Sequence, residues 1–347
     1  MSDLLLMEAL ARRNTRRPPV WFMRQAGRYH SHYQRLRARH EFIELCKDPA
    51  LAVEVTLGPI EDFGFDAAIL FSDLLFPLEA MGMGLRYAPG PQLDWHLGDV
   101  GDLARLRGGA GQAAQLQFQG EAIARLRQRL PASCALIGFV GAPFTLYAYA
   151  AKGSHEGFGR AGLHGLGTGL YAGFCERLQG LLAANIALQI AAGANCVAIF
   201  DTSAGSLEPA AFGRHAVAPL AAVIAEVRRS HPQTPLIYYS RGTGPDHWRL
   251  LEGAGIQCLG VDWRHDLADT LTAQTPHWAV QGNIDPDWLL LPPAELEPRL
   301  RAVWERVRVL PAAARAAWVC GLGHGVLPGV PEDNVRLALR VQREIFA

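Results

Sequence analysis

Pro19-Val20-Trp21-Phe22-Met23-Arg24-Gln25-Ala26-Gly27-Arg28-Tyr29 near the start of the chain, and Gly321-Leu322-Gly323-His324-Gly325 near its end, carry the reading of the fold. Each follows or contains a short apolar run that breaks into glycine and a chemically active side chain. The first sets Arg24 and Arg28 around Gly27, and the second sets His324 among glycines. An apolar run that ends in such a loop reads as a buried strand and its exit. Residues at the carboxyl ends of strands build the active site of a closed α/β barrel.

Between the two stretches the pattern recurs. Short β-prone apolar runs stand at 20–23, 67–71, 134–140, 196–200, 236–239, 258–261, 278–281 and 318–320. Helical patterns follow at about 41–63, 113–129, 170–192, 208–229, 245–254, 267–274, 294–308 and 332–345. Apolar runs without alternation suit a parallel sheet covered on both faces. Eight strand–helix units predict a single-domain (β/α)8 TIM barrel over residues 1–347, with a doubly wound open sheet as the alternative. The stretch at about 85–111, with Pro89-Gly90-Pro91, fits no such unit and reads as a loop or hairpin excursion over one face.

Half the residues are hydrophobic and 19% are charged, so a large core can form. The formal net charge is zero, which argues against nucleic acid as the main partner. Six cysteines (46, 134, 175, 196, 258 and 320) show no CxxC spacing and read as buried free thiols of a reducing compartment. The N-terminus lacks the basic start and long apolar core of a secretory signal. The uncharged stretch 178–200 is long enough to span a bilayer, but its Gln179, Asn185, Gln189, Gly193 and Asn195 favour a buried helix running into a buried strand. A cytoplasmic protein without a membrane partner is expected.

The predicted strand ends offer Arg24 and Arg28, Ser72-Asp73, a segment leading to Tyr149, Asp201-Thr202-Ser203, Ser240-Arg241, Asp262-Trp263, Asn283-Ile284-Asp285 and His324. Two guanidiniums so close repel unless an anion lies between them, and their forks suit carboxylates; the other reading is a solvated pair on a first helical turn. Asp73 among apolar neighbours is costly unless something binds it, although an aspartate there also serves as a helix N-cap. His324 can approach a ligand closely or play a structural part. Tyr147 competes with Tyr149. HExxH, HxC and GxSxG are absent from the sequence, so zinc and a serine nucleophile lack support.

Several of these segments resemble one family. Met23-Arg24-Gln25-Ala26-Gly27-Arg28-Tyr29, Asp66-Ala67-Ala68-Ile69-Leu70-Phe71-Ser72-Asp73-Leu74-Leu75 and Gly138-Phe139-Val140-Gly141-Ala142-Pro143-Phe144-Thr145-Leu146 are similar to uroporphyrinogen decarboxylase signatures. Phe200-Asp201-Thr202, Gly260-Val261-Asp262-Trp263, Gln281-Gly282-Asn283-Ile284-Asp285-Pro286 and Leu322-Gly323-His324-Gly325 follow in family order. The resemblance implies a cofactor-free and metal-free barrel enzyme, usually a homodimer. Its activity would be removal of the four acetate carboxyl groups of uroporphyrinogen to give coproporphyrinogen in haem biosynthesis. The family's functional positions fall on Arg24, Arg28, Asp73, Tyr149, Thr202 and His324. Asp73 would accept the pyrrole N–H groups, and the source of the proton (Arg24, His324 or a water) stays open. The competing readings are a zinc-dependent corrinoid or thiol methyltransferase of the same superfamily and a non-catalytic tetrapyrrole-binding protein. The chain departs from the family's habits at His30-Ser31-His32-Tyr33 (usually a proline–acid pair), at Gly58-Pro59-Ile60-Glu61-Asp62 (often basic) and at Lys152 (often glutamate).

Overall fold

The computed structural model describes residues 4–88, 90–152 and 160–347. Its strands are β1 (Ala67–Ile69), β2 (Arg86–Tyr87), β3 (Pro91–Gln92), β4 (Ala135–Gly141), β5 (Cys196–Asp201), β6 (Leu236–Ser240), β7 (Cys258–Gly260), β8 (Ala279–Ile284) and β9 (Trp318–Leu322). Seven of them form one parallel sheet in the order β1-β4-β5-β6-β7-β8-β9.

The eighth expected strand, 20–23, does not form as a strand. It contributes a single parallel bridge between Val20 and Cys320. Pro18 and Pro19 before it have no N–H to give to a ladder, and Arg24 after it turns into the left-handed region at φ 62°. The segment still hydrogen-bonds on both sides. Trp21 donates to the Cys320 carbonyl and Cys320 to the Pro19 carbonyl on the β9 side, and Asp66, just before β1, donates to the Val20 carbonyl. The Asp66 carboxylate accepts from the Val20 amide at 2.8 Å and takes both arms of Arg17 at 2.6 and 2.7 Å.

The sheet is curled, and side chains alternate across it. Trp21, Ile69, Ile137, Ala198, Ile237, Cys258, Ala279 and Val319 pack on the inner face with Leu6, Ala9 and Leu10 of the helix Leu5–Leu10. That helix touches both β4 and β9, which lie far apart in strand order. Residues of the other face, such as Leu136, Val197, Leu259 and Trp318, join the helices in a second core. The stretch 178–200 is the helix Leu170–Ala191 running into β5, as its amides and glycine suggested. Among the described residues one helical stretch, Pro209–Ser230, is long and apolar enough to cross a membrane by length and composition.

Two further expectations needed revision. The helix at 41–63 breaks into Phe42–Lys47 and Pro49–Phe63, because Pro49 forces Asp48 out of the helical region (ψ 115°) and Asp48 then caps the second helix through Ala50 and Leu51. The unit at 245–254 shrinks to one turn, Pro245–Trp248, and a 3-10 turn, Arg249–Leu251. Within the stretch 85–111 the chain forms the antiparallel hairpin β2–β3, with Pro89 outside the described residues, followed by the 3-10 helix Val100–Arg105. This stretch leaves and returns at one place, since Arg107 donates to the Met81 carbonyl and Asp94 to that of Met83.

Candidate active site

The carboxyl ends of the strands surround a cavity of about 460 Å3, within the usual range for organic ligands. Arg24, Arg28, Asp73, Tyr149, Thr202 and His324 all line it. Its apolar lining includes Ile69, Phe139 and Phe200, the last two meeting edge to face at 5.7 Å.

Arg24 is placed by a braced loop. Gln25 accepts from the Phe22 amide at 3.1 Å and donates to the Ala67 carbonyl at 2.9 Å, tying the loop to β1. Tyr29 donates to the Gln25 carbonyl and His30 to that of Gly27. A side chain at Gly27 would put its Cβ 2.9 Å from the Arg24 carbonyl, so only glycine fits. The left-handed backbone of Arg24 costs roughly 1 kcal/mol, a cost met where a side chain must be aimed. Burial, then Arg28, lower the Arg24 pKa, while Tyr149, Tyr239 and Asp73 oppose. The guanidinium is open to the cavity and at the same time walled by protein. Among the described residues neither Arg24 nor Arg28 has an ion pair, so the repulsion between them is left for a ligand to relieve.

Asp73 is not the cap of the helix Phe76–Ala80, whose N-cap is Leu75, but it holds the turn that leads into it. One oxygen accepts from the Leu75 amide at 2.8 Å, just before the helix Phe76–Ala80. The carboxylate also lies beside the Tyr87 hydroxyl and opens into the cavity. Burial raises its pKa against the Leu75 amide, Tyr87 and Arg24. Tyr87 comes from the excursion. Its hydroxyl is buried beside this carboxylate without closing a hydrogen bond of normal geometry.

Tyr149 lies on the helix Pro143–Lys152, and burial pushes its pKa to about 12, so it stays a neutral donor. Tyr147 turns away to pack on Tyr171 and Phe174, while Tyr149 lines the cavity. Thr202 follows Asp201, a buried carboxylate whose pKa rises to about 6 with burial although it accepts from the amide and hydroxyl of Thr145 and from Tyr238. His324 lies near-parallel to the Tyr239 ring, its Nδ1 3.0 Å from that hydroxyl. Tyr239 also donates to the Gly323 carbonyl at 2.8 Å. With that proton committed, the Nδ1–H of His324 is the donor to the tyrosine oxygen.

The cavity also contains residues that had no assigned role. Arg37 ends the helix Ser31–Arg37, Tyr87 comes from β2, and Arg241 follows β6. Arg241 was visible as a strand-end residue. Arg37 and Tyr87 gave no local signal, because the folding-back of their segments places them there.

Two departures from family habit meet in space. His30 Nε2 lies 2.7 Å from Asp62 Oδ2, and His32 Nε2 lies 3.1 Å from the Glu54 carbonyl with its ring over Gly58, where a Cβ would come within 2.6 Å. The side chain of Lys152 lies outside the described residues. Burial lowers the His30 pKa more than Asp62 raises it. The unfolded chain therefore binds that proton more readily, and stability drops as pH falls through about 6.5. Urea midpoints at roughly pH 7.5 and 5.5 should fall more for the native chain than for His30→Gln. Identical falls would remove His30 from the account.

A parallel α/β scaffold gathers, in one strand-end cavity, a buried carboxylate and two arginines without an ion pair among the described residues, a set suited to an anionic organic ligand. The sequence profile described as uroporphyrinogen decarboxylase matches residues 1–345. The uroporphyrinogen decarboxylase of Pelobacter propionicus is 39% identical over 330 residues, 94% of each chain. That of Gloeobacter violaceus is 34% identical over 97% of this chain and 96% of its own. Among solved structures, a methyltransferase from Methanosarcina mazei superposes with a TM-score of 0.81 at 17% identity, covering 99% of this chain and 98% of its own. A B12-independent methionine synthase from a Shewanella species gives 0.52 at 10% identity over 86% and 87%. These two likenesses concern the fold. The chain belongs to the uroporphyrinogen decarboxylase family and is a carboxy-lyase.

Proposed function

We propose that the protein removes the four acetate carboxyl groups of uroporphyrinogen III to give coproporphyrinogen III and carbon dioxide, without metal or organic cofactor. The observation that carries this reading is the convergence of Arg24, Arg28 and Asp73 in one cavity, the arginines without an ion pair among the described residues and the aspartate open to the cavity. The arginines bind carboxylates of the substrate. Asp73 accepts its pyrrole N–H groups, and the aromatic lining packs against the macrocycle. Tyr149, Thr202 and His324 complete the polar contacts.

A proton adds to the pyrrole ring carbon next to the acetate-bearing one, giving an iminium-like cation. The bond to the carboxylate breaks, its electron pair neutralises the ring and carbon dioxide leaves. The exocyclic methylene takes up a proton as the ring carbon returns one, so each cycle consumes one proton. Asp73 stabilises the positive charge in a pocket of low dielectric, an effect of roughly 3–4 kcal/mol. Arg24 holds the reacting acetate in the cavity.

We further propose one (β/α)8 barrel domain, with the Val20 segment in the eighth strand position, working as a cytoplasmic homodimer. Light scattering at working concentration should give twice the mass of the chain, and a monomer would contradict the dimer. Anaerobic incubation of chelator-treated protein with uroporphyrinogen III, followed by chromatography of the oxidised porphyrins, should show seven-, six-, five- and then four-carboxylate products. Unchanged substrate would overturn the activity. Activity lost with chelator and restored by zinc would favour the methyltransferase.

A further inference from the structure

We infer that Arg241 is a second carboxylate-binding site for the substrate, on the cavity wall opposite Arg24 and Arg28. The inference rests on the proposed activity and concerns the part of the macrocycle remote from the reacting acetate.

The first observation is placement. Arg241 directly follows β6 and lines the cavity. The segment carrying Arg24 hydrogen-bonds toward β9 on one side and to Asp66, before β1, on the other. From that segment β6 is the fourth strand in either direction, through β1, β4 and β5 or through β9, β8 and β7. Arg241 therefore stands across the cavity from Arg24.

The second observation is a fixed backbone under an uncommitted side chain. The Gly242 amide donates to Asp262 at 2.7 Å, and the hydroxyls of Ser240 and Thr243 bond at 2.7 Å. Gly205 packs so closely that a Cβ there would come within 2.1 Å of the Arg241 carbonyl oxygen. Asp262 is itself held by Arg264 at 2.9 and 3.1 Å. Among the described residues the Arg241 guanidinium has no hydrogen bond and no ion pair, and it is exposed to the cavity. A cation on a pinned loop in a ligand cavity, without a hydrogen bond or ion pair among the described residues, is pre-organised for an anion.

The substrate supplies one. Each pyrrole carries two carboxylates, so while one acetate lies between Arg24 and Arg28, the opposite pyrrole presents its own to Arg241. Every acetate takes that position in turn, and the propionates stay throughout, so Arg241 holds the substrate and each intermediate.

The test is steady-state kinetics on uroporphyrinogen III with Arg241→Gln and Arg241→Lys, together with fluorescence titration of uroporphyrin I at low and high salt. Arg241→Gln should raise KM by about tenfold to a hundredfold, the range of a lost charge-assisted pair, with kcat changed less than KM. Lysine should recover part of the loss, since it restores the charge without the fork. An unchanged KM would overturn the inference. If the folded native protein does not decarboxylate the substrate, the activity fails separately and the titration decides Arg241. Binding weakened in Arg241→Gln, with a shallower salt dependence, upholds the clamp; equal affinity overturns it. The side chain has no hydrogen bond and no ion pair among the described residues, so melting temperatures of both variants should match the native one.

Discussion

Asp73→Asn should lower kcat/KM on uroporphyrinogen III by about a thousandfold, the scale on which a pre-organised electrostatic group acts at developing charge, and leave the fold intact. The separation of the two effects follows from the local structure. Asparagine keeps an oxygen for the Leu75 amide, so the turn into the helix Phe76–Ala80 survives. Burial raises the Asp73 pKa, so the folded state tolerates its charge less well than water does. A neutral isostere removes that penalty, and thermal stability should hold or rise slightly. The substrate loses the anion that faces its pyrrole nitrogens and stabilises the protonated ring. Steady-state rates and a melting curve on one preparation decide the matter, and native-like turnover would remove Asp73 from the mechanism.

Gly325→Ala should lower activity by about a hundredfold, the effect of roughly 1 Å of misplacement at a reacting centre, with little change in stability. A Cβ at Gly325 would lie 2.4 Å from Cδ, 2.8 Å from Cγ and 3.0 Å from Nε of Arg24. The obstacle is a flexible side chain, so the fold yields cheaply by moving the guanidinium. The loop stays anchored, because the Val326 amide donates to the Met23 carbonyl at 2.8 Å. The glycine beside His324 thus serves the arginine three hundred residues earlier in the sequence. Native kinetics in this variant would show that the position of Arg24 is not demanding.

Much of the site was legible because strand ends are legible. An apolar run that breaks into Ser72-Asp73, into Asp201-Thr202 or into Gly323-His324-Gly325 marks its own exit, and parallel pairing brings all the exits to one rim. What stayed hidden depended on contacts distant in sequence. Tyr87 reaches Asp73 only because the excursion returns to Met81 and Met83. The His30–Asp62 contact appeared in the sequence as two unrelated departures, and the packing of the arginine loop on the helix Pro49–Phe63 makes them one interaction. Val20–Met23 has the composition of a strand, yet the missing prolyl N–H groups and the left-handed Arg24 reduce it to a bridge.

The most direct measurement is a crystal structure grown anaerobically with coproporphyrinogen III. The account predicts the macrocycle inside the strand-end cavity, its pyrrole nitrogens within hydrogen-bond reach of the Asp73 carboxylate, about 3 Å, and its propionates on the arginines. A product seated elsewhere, or with its nitrogens turned away from Asp73, would contradict it.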